Sequence, residues 1–251
     1  MHLFIFKFLS ILLILFTALI AGWYPFKKHL QSIGKERKFT GGEALAAGIF
    51  LGAAIMHMLP DAQSGFELHH IYYPFAFLIA GISFLILILM GHFVREYYHD
   101  EKAHEITCPI LAAVILSIHS LLESMVLGFA ASFTLTVVIL IAILAHKWAA
   151  SFALAVELTK NHFPLKTGIS LFGLFVLMTP AGILLGMLFL QAGTINQSLA
   201  VPIFNALAGG SFLYLGTLHG LDRATIMNGC CDLKHYSLVI IGFLLMAVVA
   251  L

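Results

Sequence analysis

A histidine and a glutamate lie four residues apart in the middle of a long apolar segment of this sequence. They are His119 and Glu123, within the stretch 108–131. On a helix, residues at this spacing share one face and lie about one turn apart. Ionisable side chains inside long apolar helices are costly and usually mark a binding site or a polar path. The pair therefore indicates a functional role for this segment.

A second apolar stretch, 135–158, contains His146 near its middle. The connection 132–134 is so short that the two stretches must form antiparallel neighbouring helices. His119 lies about 13 residues before this connection and His146 about 12 residues after it. At a rise of about 1.5 Å per residue, both imidazoles lie about 18–20 Å from the turn and at similar depth. Two histidines and one glutamate therefore form a candidate metal site.

The metal and its use follow from the ligand types. Two imidazoles and one carboxylate suit Zn²⁺ with a water molecule as the fourth ligand, and zinc hydrolases use the same set. A hydrolase also needs a general base beside the metal-bound water. The HExxH motif is absent, and no other carboxylate is placed beside Glu123. The chemistry thus leaves a carrier and an enzyme to be compared.

Polar residues along the depth of the apolar segments favour a carrier. On one side of the centre they offer a route in, and on the other a route out. The first group is His57 and Asp61, and the second is Glu157, His219 and Glu43. The alternatives are an intramembrane zinc-dependent hydrolase and a membrane protein that a structural metal stabilises.

The composition sets the fold class. The chain has 251 residues, of which 61% are hydrophobic and 10% are charged. Soluble domains are about 45–50% apolar and about 25% charged. The apolar runs are long enough for membrane-spanning helices, whereas a β-barrel would need short alternating segments. The sequence predicts an all-α polytopic membrane protein, and its net charge of +1 indicates no nucleic-acid partner.

Eight spans are predicted, forming one transmembrane domain over 1–251. They cover roughly 3–24, 39–59, 73–94, 108–131, 135–158, 167–190, 199–220 and 236–251. Lysine and arginine occur in the connections after spans 1, 3, 5 and 7 but not after spans 2, 4 and 6, which predicts that the odd connections are cytoplasmic. Both termini are then outside. Lys7, within the first span, is expected to snorkel to the outer surface.

Five motifs, which include the residues of the candidate metal site and are spread over nearly the whole chain, resemble those of the ZIP (Zrt-, Irt-like) family of divalent-metal transporters. The segment 119–128, HSLLESMVLG, is similar to the family signature HSxxEGxxLG. His146 and the residues after it are similar to the HK…FxLG pattern. Three further motifs match in order, at 48–61, 73–77 and 180–186.

The resemblance implies an eight-helix bundle that moves Zn²⁺ and similar ions into the cytosol. It also implies an elevator-like motion in which spans 1, 4, 5 and 6 slide against spans 2, 3, 7 and 8. Carried over to this sequence, the central metal ligands are His119, Glu123 and His146.

The chain departs from the family pattern near the centre. Ser124 and Ala155 each replace a glycine, and Lys147 and Ala150 stand where some members have acidic ligands for a second metal. An ammonium would repel a second divalent cation, so one central metal is predicted. Lys147 either substitutes for the charge of the second ion or is neutral because burial disfavours the ammonium. Ser120, beside His119, is a further candidate for supporting the ligands.

Residues and resemblance together predict a passive or proton-influenced importer and not an enzyme. Zn²⁺ is the expected transported substrate, with Fe²⁺, Mn²⁺ and Cd²⁺ as alternatives, and no organic cofactor is expected. The expected partners are divalent metal ions and the lipid bilayer of the cell (inner or plasma) membrane, and the expected protein assembly is a homodimer. The loop 95–107 contains histidines and acidic residues that could bind metal loosely or simply be solvated.

Overall fold

A computed structural model of the chain describes residues 2–30, 40–97, 101–159, 163–193, 196–219 and 233–250. Helices make up nearly all of these residues, and no strand occurs within the described ranges. Seven helical stretches there are long and apolar enough to cross a membrane, and a shorter apolar helix follows them. The structure confirms the prediction of an all-α polytopic membrane protein.

The helices are numbered in chain order over the described residues. They are α1 (His2–Leu30), α2 (Thr40–Gly52), α3 (Leu59–Glu67), α4 (Phe75–Tyr97), α5 (Glu101–Phe129), α6 (Phe133–Leu158), α7 (Leu165–Ala192), α8 (Gln197–Tyr214) and α9 (Leu233–Val249). Two π-helical segments accompany them. Ala53–Met58 joins α2 to α3, and Leu215–His219 continues α8.

The second span is longer than predicted. The sequence placed its end at residue 59, before Pro60, but the helical stretch runs from Gly41 to Glu67. Proline lacks a backbone N–H, and in a regular helix its ring clashes with the carbonyl four residues earlier. The wider π-helical turn of Ala53–Met58 precedes Pro60 and relieves this conflict, as π-bulges at helix bends commonly do. The helical stretch therefore continues through Pro60.

The connection predicted over 95–107 is partly helical, because α4 extends to Tyr97 and α5 begins at Glu101. His99 and Asp100 lie outside the described residues, as do the side chains of 101–106. Loose metal binding by this segment stays a prediction.

The helices pack as two sets. In the first, α5 lies along α7, and α1 lies along α6 and α7; in the second, α2 lies along α9, while α3 and α4 lie along α8. Small residues bring the backbones close within each set. A Cβ at Gly182 of α7 would collide with Ser124 of α5, and a Cβ at Gly48 of α2 would collide with the backbone of Val239 in α9. Such close approach is typical of membrane helix pairs.

Contacts between the two sets involve α8 against α5, and α2 against α6. At one of these contacts Gly42 of α2 faces the ring of Phe152 in α6, so a side chain and not backbone fills the gap. The outward faces of α1 and α4 expose apolar side chains such as Leu12, Phe16 and Leu89. In a bilayer these faces contact lipid.

Lys7 does not snorkel to a surface as predicted. Its side chain is buried, and its ammonium donates a 2.7 Å hydrogen bond to the carbonyl oxygen of Gly128. Gly128 lies at the C-terminal end of α5, where helix carbonyls lack partners from their own helix and attract basic side chains. A main-chain acceptor within reach explains why this lysine stays inside the bundle.

Candidate metal site

The hairpin of α5 and α6 positions the central residues. α5 ends at Phe129 and α6 begins at Phe133. Ser132 caps the start of α6, where its hydroxyl oxygen accepts a 3.2 Å hydrogen bond from the backbone N–H of Leu135. The connection of three residues keeps the helices antiparallel and adjacent. His119 and His146 consequently lie side by side, with ring centroids 6.2 Å apart.

The structure brings His119, Glu123 and His146 together. His146 Nε2 lies 2.6 Å from Glu123 Oε1, and His119 Nε2 lies 3.6 Å from Glu123 Oε2. One ligand atom from each residue lies within 4.8 Å of the other two. The three residues are between 1% and 7% exposed, so the cluster is closed off from bulk solvent.

The donor set of this cluster fits a divalent cation. Within the described ranges, His119 Nε2 and His146 Nδ1 have no hydrogen-bond partner, and His146 Nε2 contacts only the Glu123 carboxylate. Buried polar atoms without partners are costly, and a metal ion would satisfy both Nε2 atoms. Zinc–ligand bonds of about 2.0–2.2 Å place tetrahedral ligand atoms about 3.4 Å apart. The His119–Glu123 contact is close to that spacing, and the His146–Glu123 contact would open on binding.

A general base for hydrolysis is not placed here. Among the described residues, His119, Glu123 and His146 are the one group of histidine, cysteine, aspartate or glutamate side chains with metal-binding spacing. A zinc hydrolase would use Glu123 either as a ligand or as a base, and no second acidic side chain belongs to this group among the described residues. The geometry favours holding an ion over activating a water molecule.

Two residues of α8 contact His119, and neither was predicted from the sequence. His119 Nδ1 lies 2.8 Å from Ser211 Oγ, and the Phe212 ring stacks on the imidazole with centroids 3.7 Å apart. The Phe212 ring also meets His146 edge-on at 5.2 Å. The signal for this contact is the run Gly209-Gly210-Ser211, in which a hydroxyl follows two small residues inside an apolar helix.

Lys147 is buried next to the cluster. Its ammonium donates hydrogen bonds to Ser120 Oγ at 2.7 Å and Thr179 Oγ1 at 2.8 Å, and it lies 4.1 Å from the centre of the Phe175 ring. No carboxylate in the described part of the chain lies within ion-pair distance of it. The ammonium thus joins α6 to α5 through Ser120, and α6 to α7 through Thr179 and Phe175. The sequence did not indicate the two contacts with α7.

His57 and Asp61 lie on one side of the cluster. His57 Nδ1 is 3.1 Å from Asp61 Oδ2, and the Asp61 side chain is 53% exposed. Gly65, one turn further along, packs on Pro202 near the start of α8. Because α8 begins at the end of the bundle where α5 turns into α6, this pair lies on the turn side of the cluster. The structure places the pair between the cluster and that surface, not within the cluster.

A cavity lies on the opposite side of the cluster. Glu43 and Glu157 line it together with Leu116, which is one helical turn from His119. Both glutamates are buried side chains in this cavity wall. The backbone of His219 ends the π-helical segment after α8, while its side chain lies outside the described residues. Its predicted role therefore stays a prediction.

Comparisons with known proteins agree with this architecture. A sequence profile described as ZIP zinc transporter matches residues 4–109 and 106–250. Zinc transporter ZIP1 of Takifugu rubripes is 27% identical over 290 aligned residues, which cover 96% of each chain. Zinc transporter ZIP2 of Mus musculus is 27% identical over 82% of this chain and 83% of its own. Protein zntD of Dictyostelium discoideum is 35% identical over 64% of this chain but only 25% of its own length.

Proposed function

This chain belongs to the ZIP zinc transporter family, and we propose that it carries Zn²⁺ into the cytosol through the site formed by His119, Glu123 and His146. The family and these relatives are transporters and not enzymes, which confirms the prediction of metal transport over the hydrolase. The observation that carries the proposal is the buried cluster of these three side chains. Its Nε2 atoms face one carboxylate within the bilayer-spanning part of the fold.

Zn²⁺ is the proposed substrate because two imidazoles and one carboxylate match its ligand preference. Fe²⁺, Mn²⁺ and Cd²⁺ are proposed as weaker competitors. Of these, Mn²⁺ is the harder ion and prefers more oxygen ligands than Glu123 alone supplies. The relatives' names support zinc, since the matched proteins are described as zinc transporters.

The proposed path follows the polar residues on both sides of the cluster. Asp61 and His57 would attract the cation on the side where α5 turns into α6, which we place outside the cell. Glu43 and Glu157, in the opposite cavity, would receive it on the cytosolic side, and His219 would follow. This orientation rests on the lysine and arginine distribution and puts both termini outside.

An elevator-like motion is proposed for the transport step. In this motion α1, α5, α6 and α7 would slide as a unit against α2, α3, α4, α8 and α9. The packing supports it, because the glycine-mediated backbone contacts lie within these two sets. All three ligands belong to the first set and would move together. We also propose that the protein lies in the cell membrane and forms a homodimer, as predicted from the sequence.

Zinc uptake by liposomes tests the proposal. Purified full-length chain is reconstituted with a zinc-sensitive dye trapped inside, and wild type is compared with His119→Ala and Glu123→Ala. Uptake by wild type should saturate with external zinc, and both variants should fall to the level of empty liposomes because each loses a central ligand.

A matched control guards against damage to the fold. Glu67→Gln changes an exposed carboxylate on α3 whose partner is the neighbouring Gln63, so it should transport like wild type. All variants should elute from size-exclusion chromatography as wild type does. Normal uptake by Glu123→Ala would refute the site, and zinc binding without uptake in wild type would refute the carrier.

A further inference from the structure

We propose that Ser211 of α8 is a positioning residue that fixes the tautomer and orientation of His119, so that its Nε2 lone pair faces the cation. The proposal rests on the proposed function for the identity of the metal. It adds a residue from a helix that supplies none of the ligands. The contact joins the two helix sets, since α5 belongs to one and α8 to the other.

Hydrogen-bond donors and acceptors around Ser211 determine which nitrogen of His119 carries the proton. The Ser211 hydroxyl donates to the carbonyl oxygen of Ala208, 2.7 Å away and three residues earlier in the helix. A hydroxyl has one proton, so Ser211 Oγ can only accept from His119 Nδ1, 2.8 Å away. His119 Nδ1 then carries the hydrogen, and Nε2, which lies 3.6 Å from Glu123 Oε2, is left with a lone pair for a cation.

The orientation of the imidazole is fixed as well as its tautomer. The Phe212 ring lies 19° from parallel to the imidazole and holds it on one face, while Ser211 holds its edge. His146 differs, because its Nδ1 has no hydrogen-bond partner among the residues that the structure describes. Ligating histidines usually donate their second ring N–H to a fixed acceptor, which sets their orientation. Of the two imidazoles, His119 is therefore the one whose orientation is fixed before the cation binds.

The His119–Ser211 bond couples binding of the cation to the proposed sliding of the two helix sets. If the helix set of α5 slides against the set of α8, the His119–Ser211 bond forms only in some positions. A cation that binds more tightly when His119 is held by Ser211 stabilises those positions, because a ligand favours the state for which its affinity is higher. Ser211 thus links the affinity of the site to the relative position of the two sets.

Zinc affinity of the purified full-length protein tests the proposal. Affinity is measured by competition with a fluorescent chelator for wild type, Ser211→Ala and Ser211→Thr. Ser211→Ala should weaken binding roughly 10–100-fold, the effect typical of removing a hydrogen-bond partner of a metal ligand. Ser211→Thr keeps the hydroxyl and should bind like wild type. Ser83→Ala is the matched control, since Ser83 bonds the Leu207 carbonyl in α8 but does not contact His119.

A spectroscopic measurement on the wild type keeps the test independent of folding in the variants. Nitrogen NMR of ¹⁵N-histidine protein, with the His119 signal assigned by His119→Gln, should place its proton on Nδ1. A proton on Nε2, or unchanged zinc affinity in Ser211→Ala, would overturn the proposal. Because the affinity and NMR readouts are both made in detergent and neither requires uptake, failed uptake by the wild type would refute transport without altering the result for Ser211.

Discussion

Lys147 Nζ lies 2.7 Å from Ser120 Oγ, so a buried ammonium contacts the residue that follows the ligand His119 in the chain. Lys147 itself follows the ligand His146, and the cation therefore lies at the same depth as the candidate site. Inside a protein this ammonium would strongly repel a second divalent cation bound beside it. Some family members are expected to hold a second metal through an acidic residue at the position of Lys147, and here an ammonium takes its place.

We predict one bound zinc ion per wild-type chain and two in the double variant Lys147→Asp/Ala150→Glu. The double change removes the repelling charge and supplies two carboxylates one turn apart. Lys147→Met is the control, because it removes the charge without adding a ligand and should bind one ion. Elemental analysis of purified, zinc-saturated protein gives the stoichiometry. Two ions in the wild type would show that Lys147 does not limit the site to one metal.

Asp61 is predicted to raise the local concentration of cations on the turn side of the bundle. Asp61→Asn should increase the zinc concentration for half-maximal uptake while leaving the maximal rate unchanged. Interactions of exposed charges are worth about 0.2–1 kcal/mol. Such an energy corresponds to a change of up to about fivefold. The increase should shrink at high salt, because salt screens exposed charges.

The control for Asp61 is Glu67→Gln, which removes an acidic side chain from the same helix. Glu67 bonds Gln63 and lies further from the cluster along α3. Its neutralisation should leave half-maximal uptake unchanged. An equal effect of both changes would mean that overall surface charge, and not the position of Asp61, controls zinc capture.

Gly182 is predicted to be essential for packing α7 against α5. A Cβ there would collide with Ser124 Oγ and the Leu121 carbonyl, and the latter is backbone that cannot rotate away. Overpacking of this kind costs about 1–3 kcal/mol. Gly182→Ala should therefore lower the thermal unfolding midpoint in detergent, measured by fluorescence-detected chromatography after heating.

Gly173→Ala, on the same helix, should instead hold or raise the midpoint. A Cβ at Gly173 has no atom within 4 Å, and alanine favours helix by about 1 kcal/mol over glycine. If the two variants had the same unfolding midpoint, the close approach of α5 and α7 at Gly182 would not be a packing constraint.

The spans and the central cluster were predictable because both depend on local patterns. Hydropathy gives the long helices, and the spacing of His119, Glu123 and His146 about a short turn gives their shared depth. The end of the second span was wrong, since Pro60 usually stops a helix and the π-helical turn that accommodates it leaves no mark in composition.

The contacts that support the cluster were not predictable. Ser211 lies 92 residues from His119 in sequence, and serine in a membrane helix usually bonds its own backbone. The partner of Lys7 is the Gly128 carbonyl, and a backbone acceptor has no side-chain signal at all. Long-range pairs of this kind depend on how helices rotate against each other, which hydropathy does not determine.

The proposed sliding of the two helix sets predicts that a covalent link between them stops transport. Gly42 of α2 and Phe152 of α6 face each other across the sets, with the Gly42 Cβ position 2.5 Å from Phe152 Cε1. In a background where serine replaces Cys108, Cys230 and Cys231, the pair Gly42→Cys/Phe152→Cys should be joined by a short bis-thiosulfonate reagent, which forms a disulfide with each cysteine. Uptake should fall to the level of empty liposomes and recover when a reductant cleaves the link.

A link within one set is the necessary control, because any crosslink could stiffen the protein. The Cβ position of Gly209 in α8 lies 3.5 Å from Met58 Cβ, a spacing that permits a disulfide between two cysteines. Both residues belong to the set that contains α2 and α8, so Met58→Cys/Gly209→Cys should transport equally well oxidised and reduced. Full uptake by the linked Gly42–Phe152 pair would exclude relative sliding of the sets and would leave local opening of the cluster as the transport step.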